Sequence, residues 1–197
     1  VGGTDVTGEQ ALQAVDYSYN IRGWLKAIND VNNLGTDLFA FKINYNNPET
    51  ATPLFNGNIS ETFWRTNSDN IKRKYNYSYD NLNRLLEAHY RREGGLYRDS
   101  YLEQVSYDKN GNITKLERDG EVDDPVNKYT IDNLTYIYDS VNKNRLSIVD
   151  DATNITHGFK DDDTNPNPAV IDSTVDYGYD VYGNMISDTN KGITQIL

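Results

Sequence analysis

At 197 residues and 37% hydrophobic content, the chain carries much of its apolar surface on 16 tyrosines, against five phenylalanines and two tryptophans. A formal charge of −11, from 30 Asp+Glu against 19 Lys+Arg, repels phosphate backbones, so nucleic-acid binding is not expected. The absence of cysteine excludes disulfides, thiolate chemistry and Cys-based zinc sites, and no stretch reaches the roughly 20 apolar residues of a membrane span.

Residues 1–14 read as a lead-in or edge segment. The start, Val1-Gly2-Gly3-Thr4-Asp5, has no initiator Met, no basic n-region and no apolar h-region, so no signal peptide is expected there. The C-terminus stops within an apolar alternation, Gly192-Ile193-Thr194-Gln195-Ile196-Leu197. Both ends read as cuts through a longer chain.

From residue 15 to 197 one pattern recurs in about six degenerate copies: Tyr-x-Tyr-Asp, two variable residues, Gly or Asn, one residue, then Leu, Ile or Met. The first copy runs Tyr17, Tyr19, Asn20, Gly23, Trp24, Leu25, and a worn one survives as Asn56-Gly57-Asn58-Ile59. The next is Tyr77, Tyr79, Asp80, Asn83, Leu85, followed by a copy in which Val105 precedes Tyr107, Asp108, Gly111 and Ile113. A fifth copy, Tyr136, Tyr138, Asp139 through Leu146, carries two extra residues in its turn. The last is Tyr177, Tyr179, Asp180, Gly183, Met185.

Each part of the pattern has a mechanical reading. Tyrosines two apart share one face of a strand. Aspartate suits the first position of a type I turn, because its carboxylate accepts backbone N–H groups two residues on. Gly or Asn three residues later supplies the left-handed conformation that closes a hairpin through a turn and bulge. The aliphatic residue opens the return strand. The expected fold is therefore all-β, with repeated hairpins forming an extended, curved or spiralling antiparallel sheet. Ser60 to Asn70 and Asn81 to Arg92 hold mixed periods but no capped amphipathic helix, and Asp161 to Pro168 reads as a solvated loop.

These residues resemble the YD repeat of bacterial RHS proteins, a family that includes wall-associated proteins and toxin-complex shells. The resemblance covers the chain from about Val15 to Ile193. It implies a non-catalytic structural scaffold, a fragment of the shell of a large secreted or cell-surface bacterial protein that can act as a toxin-encapsulating carrier. The implied partners are neighbouring repeats of the parent chain and an enclosed C-terminal effector. No Asp-Pro-x-Gly core motif is present, so no catalytic residue carries over, and no cofactor is expected.

Ser106, Asp108, Asn110, Gly111, Ile113 and Glu117 fall at spacings of an EF-hand loop. Ser at its first position and strand-like flanks favour the turn reading over calcium. His89 and His157 lack metal-ligand spacing, and carboxylate neighbours such as Asp123 and Asp124 arise readily among so many acids. The main rival to a scaffold is a carbohydrate-binding or adhesive module, because Tyr, Trp, Asn and Asp on flat strands also build sugar faces. Surface glycans would then be the partner, with Trp24 and Trp64 the first candidates for ring stacking.

Overall fold

The computed structural model describes residues 14–95, 99–124, 126–153, 155–162, 170–171 and 173–196. Most of the lead-in segment and of the Asp161–Pro168 loop therefore lies outside the described residues. The chain divides into two compact units, Val1–Asp99 and Ser100–Leu197. Both are all-β, built from consecutive antiparallel hairpins.

The first unit contains β1 (Tyr17–Tyr19), β2 (Leu25–Ile28), β3 (Phe39–Asn44), β4 (Glu61–Thr66), β5 (Arg73–Tyr79) and β6 (Leu85–Arg92). Each strand pairs antiparallel with the next in the chain. The register gives this sheet two chemically different faces. On one, Phe41 opposes Trp64, and Thr62, Tyr75 and Tyr90 align across three strands. The rings of Trp64 and Tyr75 stack at 5.6 Å, and Tyr90, 1% exposed, packs edge-on against Tyr75 at 5.6 Å. On the other face Lys42, Phe63, Lys74 and Arg91 align. There the loop after β2 closes over the sheet, and Val31 and Leu34 bury Ala40 and Phe63. Period-2 alternation separates the faces, and loop packing decides which parts become dry.

The second unit contains β7 (Glu103–Tyr107), β8 (Ile113–Asp119), β9 (Thr130–Tyr138) and β10 (Leu146–Asp151), again paired in chain order, and a separate hairpin of β11 (Tyr177–Tyr179) and β12 (Met185–Asp188). Its core is Leu134, Val149 and Tyr177, with Leu116, Tyr136, Leu146, Phe159 and Tyr179 packed around them. A 3-10 turn, Thr189–Lys191, follows β12, capped by Asp188 and closed by Gly192 in the left-handed region. The segments of mixed period are extended rather than helical: Ser60 to Asn70 holds β4, and Asn81 to Arg92 holds a turn and β6.

Candidate functional site

The repeated chemistry of this chain lies at its hairpin ends. In the hairpin β7–β8, the Asp108 carboxylate accepts the backbone N–H groups of Asn110 at 2.8 Å and Asn112 at 2.9 Å. Gly111 sits at φ +93, and its N–H donates to the Asp108 carbonyl at 3.2 Å. The register then slips by a bulge, so that Tyr107 pairs with Ile113. The same construction recurs at Asp80 with Asn83 at φ +63, and at Asp180 with Gly183 at φ +89, pairing Tyr79 with Leu85 and Tyr179 with Met185. In the first copy the Asn20 side-chain oxygen takes the place of the carboxylate, Gly23 has φ +78, and Tyr19 pairs with Leu25. In the longer turn Asp139 accepts from Val141 and Asn142, and its own N–H reaches the Arg145 carbonyl at 2.8 Å.

The carboxyl groups of these turns are held below the ordinary aspartate value. The largest cause is the Arg84 backbone N–H for Asp80, the Asn142 N–H for Asp139 and the Asn184 amide for Asp180. At Asp108 desolvation pushes upward, but bonds from Asn112, Asn110 and Gly111 prevail. A depressed folded-state value means that the unfolded chain binds more protons as acid is added. The contribution of these groups is present above the ordinary value of 3.8 and is lost as pH falls below it. Asp176, buried and facing Asp161 and Asp162, is shifted upward by desolvation and therefore acts in the opposite sense. With four turns against one such group, the urea midpoint is expected to fall between pH 5 and pH 3, and a constant midpoint would contradict the turn electrostatics.

A second regularity joins one hairpin to the next. The Tyr79 hydroxyl donates to the Ile59 carbonyl at 2.9 Å, and the Tyr138 hydroxyl donates to the Ile113 carbonyl at 2.9 Å. Each link runs from the last tyrosine of one copy to the aliphatic residue that opens the return segment of an earlier one. Tyr45 makes the same bond, to the Leu25 carbonyl at 3.1 Å. This identifies the missing half of the worn copy: Tyr45-Asn46 is its strand end, Asn56-Gly57-Asn58-Ile59 lies in its turn, and residues 47–54 are an insertion. Asn56-Gly57-Asn58-Ile59 thus forms no separate hairpin and belongs to the connection between β3 and β4. Sequence reasoning missed Tyr45 because the insertion separates it from the glycine; a Tyr-Asn pair ending an alternating stretch was the available signal.

Neighbouring turns also touch. Asn56 and Asn58 donate to the Asn83 side-chain oxygen at 2.5 and 3.3 Å. Asn112 donates to the Lys143 carbonyl at 3.1 Å, and the Arg145 guanidinium lies 5.0 Å from the Tyr179 ring centre. Burial raises the phenols of Tyr79, Tyr136, Tyr138 and Tyr179, and pushes that of Tyr177 up to about 12. The motif tyrosines at these positions are packing groups.

Left-handed backbone at Gly111 and Gly183 makes both turns sensitive to a β-branched side chain. Gly111→Val and Gly183→Val are each expected to cost about 1–3 kcal/mol. Lys109→Val, at an exposed turn position where the last copy has Val181, should change the melting temperature little; equal effects from all three would refute the backbone argument.

The other candidates find structural employment. Asp108 is engaged in its turn, and Glu117 receives the Lys128 ammonium at 3.2 Å. His89 lies on β6, half exposed, between Asp99 at 3.1 Å and Glu87 at 3.2 Å, while exposed His157 is 3.7 Å from Glu121. The Asp124 carboxylate accepts from the Val126 and Asn127 backbone. Trp64 packs against Tyr75 and Tyr90, whereas Trp24 is 36% exposed, under the Arg22 guanidinium and tilted 49° to Tyr45.

The carboxylates that sequence reasoning did not single out are the buried ones. Glu61, fully buried, accepts the Glu49 N–H at 2.8 Å, the Thr50 hydroxyl at 2.8 Å and the Asn44 amide at 3.0 Å, with Lys74 3.5 Å away. It thereby ties the β3–β4 insertion to the sheet. Asp132, also fully buried, accepts from Arg118 at 2.6 Å and from the Phe159 N–H at 2.5 Å.

No family model matches the chain, and no curated protein matches it. Among solved structures it is similar to the crystal structure of TcdB2-TccC3-TEV, at 16% identity and a TM-score of 0.45, covering 76% of this chain and 8% of that one. It is also similar to a chain of the Photorhabdus luminescens Tc holotoxin pore carrying a TccC3 mutation, at 13% identity and a TM-score of 0.46, covering 94% of this chain and 11% of that one. The chain thus spans about a tenth of the length of these solved chains.

Proposed function

We propose that this chain is a non-catalytic scaffold, a stretch of YD-repeat wall of the RHS type within a larger secreted or cell-surface bacterial protein. The observation that carries the reading is the recurrent joint, in which a motif tyrosine hydroxyl bonds the opening carbonyl of an earlier return segment at 2.9–3.1 Å. A joint of fixed geometry lets one hairpin template the next, which is how a repeat array extends. The Asn20, Asp80, Asp108, Asp139 and Asp180 side chains are engaged in turns and the Tyr45, Tyr79 and Tyr138 hydroxyls in joints, a chemistry that serves assembly rather than turnover. An enclosed effector, carried as cargo, is the partner this architecture suits.

The deciding experiment is electron cryo-microscopy of the natural polypeptide that carries this chain. The hairpins are expected to continue through the same joints into an enclosing wall. A chain standing as an isolated domain would overturn the proposal, as would hydrolytic turnover by the purified chain that survives further purification. The joint itself is tested by Tyr45→Phe, Tyr79→Phe and Tyr138→Phe. Each should lower stability by about 1 kcal/mol in urea unfolding, because each removes one hydrogen bond while keeping the ring.

A further inference from the structure

One surface of the first unit combines concave shape with exposed rings. Two adjoining depressions, of about 580 and 320 Å³, share Asn20, Ile21, Tyr45 and Asn46 as lining. The larger is also walled by Tyr19 and Lys26, the smaller by Trp24 and Phe55. Aromatic and aliphatic surface is left in water here: Tyr19 is 58% exposed, Phe55 79% and Ile21 fully. Concave sites lined by rings with a few converging polar groups are where small ligands bind, and exposed apolar patches mark contact surfaces.

The polar groups narrow the ligand. Asn46 and Asn47 are exposed, and among the described residues neither amide side chain has a protein hydrogen-bond partner, nor does the Tyr19 hydroxyl. An amide can donate and accept at once, and a ring offers a flat apolar face, which together match a pyranose with its apolar C–H face and hydroxyl rim. Lys26 adds a charge: it is exposed and without an acidic partner among the described residues, whereas Lys42, which also lines the larger depression, is held by Glu49 at 2.8 Å. The negative field that repels anions is concentrated in the other unit. Residues 1–99 hold 11 Lys+Arg against 12 Asp+Glu, and residues 100–197 hold 8 against 18.

We propose that the groove between Tyr19, Trp24 and Tyr45 binds a short acidic oligosaccharide, with the rings stacking on sugar, the Asn46 and Asn47 amides reading hydroxyls, and Lys26 pairing the carboxylate. Trp24 is a wall rather than the main platform, because Arg22 lies 5.3 Å over its ring and its edge abuts Gly57. Tyr19 is the platform, which moves the stacking role from the tryptophans to a motif tyrosine. The groove and the scaffold reading compete at Tyr19, which holds the motif position of Tyr45, Tyr79 and Tyr138: a hairpin preceding β1 would engage its hydroxyl as those three are engaged.

The test is calorimetric titration with trigalacturonate as the charged probe and maltotriose as the neutral one, followed by a glycan array. Saturable binding of trigalacturonate is expected, about tenfold tighter than maltotriose. Tyr19→Ala should weaken both at least tenfold, and Lys26→Ala should reduce trigalacturonate to the level of maltotriose. Both positions are exposed, so an unchanged melting temperature shows that folding is intact, and Trp64→Phe should leave binding as it is. An empty array, equal affinity for the two probes, or binding indifferent to Tyr19→Ala would overturn the proposal. Self-association abolished by Tyr19→Ala, without saccharide binding, would instead assign the patch to a second copy of the chain.

Discussion

Replacing Glu61 by alanine is expected to destabilise the first unit by about 3–5 kcal/mol, the range for breaking a buried charged network by removing one partner. The side chain is fully buried and accepts hydrogen bonds from Glu49, Thr50 and Asn44. Burial alone would push its carboxyl up, but those bonds and the nearby Lys74 ammonium hold it below the ordinary glutamate value. Its contribution is therefore present at neutral pH and fades as pH falls below about 4.5. Glu61→Gln should recover part of the loss, since the amide keeps an acceptor for the Glu49 N–H while leaving Lys74 without its charge partner. In hydrogen exchange, the amides of residues 45–60 should lose protection before those of β5 and β6. If the alanine variant unfolds at the wild-type urea concentration, the insertion is held by other contacts and the anchoring role is wrong.

A second large effect is expected at Gly158. A Cβ there would lie 1.9 Å from the Ile131 carbonyl oxygen and 2.7 Å from an Asp132 carboxylate oxygen. Main-chain atoms of β9 cannot yield as a flexible side chain can, so Gly158→Ala must push the 155–162 loop away from the sheet. That movement would break the bond from the Phe159 N–H to Asp132 and lift the Phe159 ring off the Leu134–Val149–Tyr177 core. An unpartnered buried acceptor costs about 1–3 kcal/mol, and overpacking adds a comparable amount, so the total should be about 2–5 kcal/mol. Phe159→Ala should be costly alone, and the double variant should cost little more than either, because both remove the same docked loop. Additive losses in equilibrium urea unfolding would show that the two residues act separately.

How much of this was legible beforehand depended on distance along the chain. The turns were readable because their bonds close within four residues: Asp108 to Asn112 and Asp180 to Asn184 need no information from elsewhere. The paired tyrosines were readable for the same reason, since two-residue alternation places them on one face whatever lies opposite. The worn copy was half readable, for Gly57 keeps its left-handed backbone at φ +99 while eight inserted residues hide its partner Tyr45. Glu61 and Asp132 were not readable at all. In sequence they are ordinary members of a set of 30 acids, and only their neighbours in space make them special.

The sequence alone determined the all-β class, the hairpin ends and the strand alternation, because local sterics and short-range hydrogen bonds decide those. The tertiary structure decided which face of each sheet became the aromatic one and which acids went inside. It also decided that tyrosine hydroxyls would serve as joints to carbonyls 20 to 25 residues earlier in the chain. Those outcomes depend on pairing between distant strands and on which loop covers which face. Such contacts involve chain-closure entropy and desolvation, and no short window of residues encodes either.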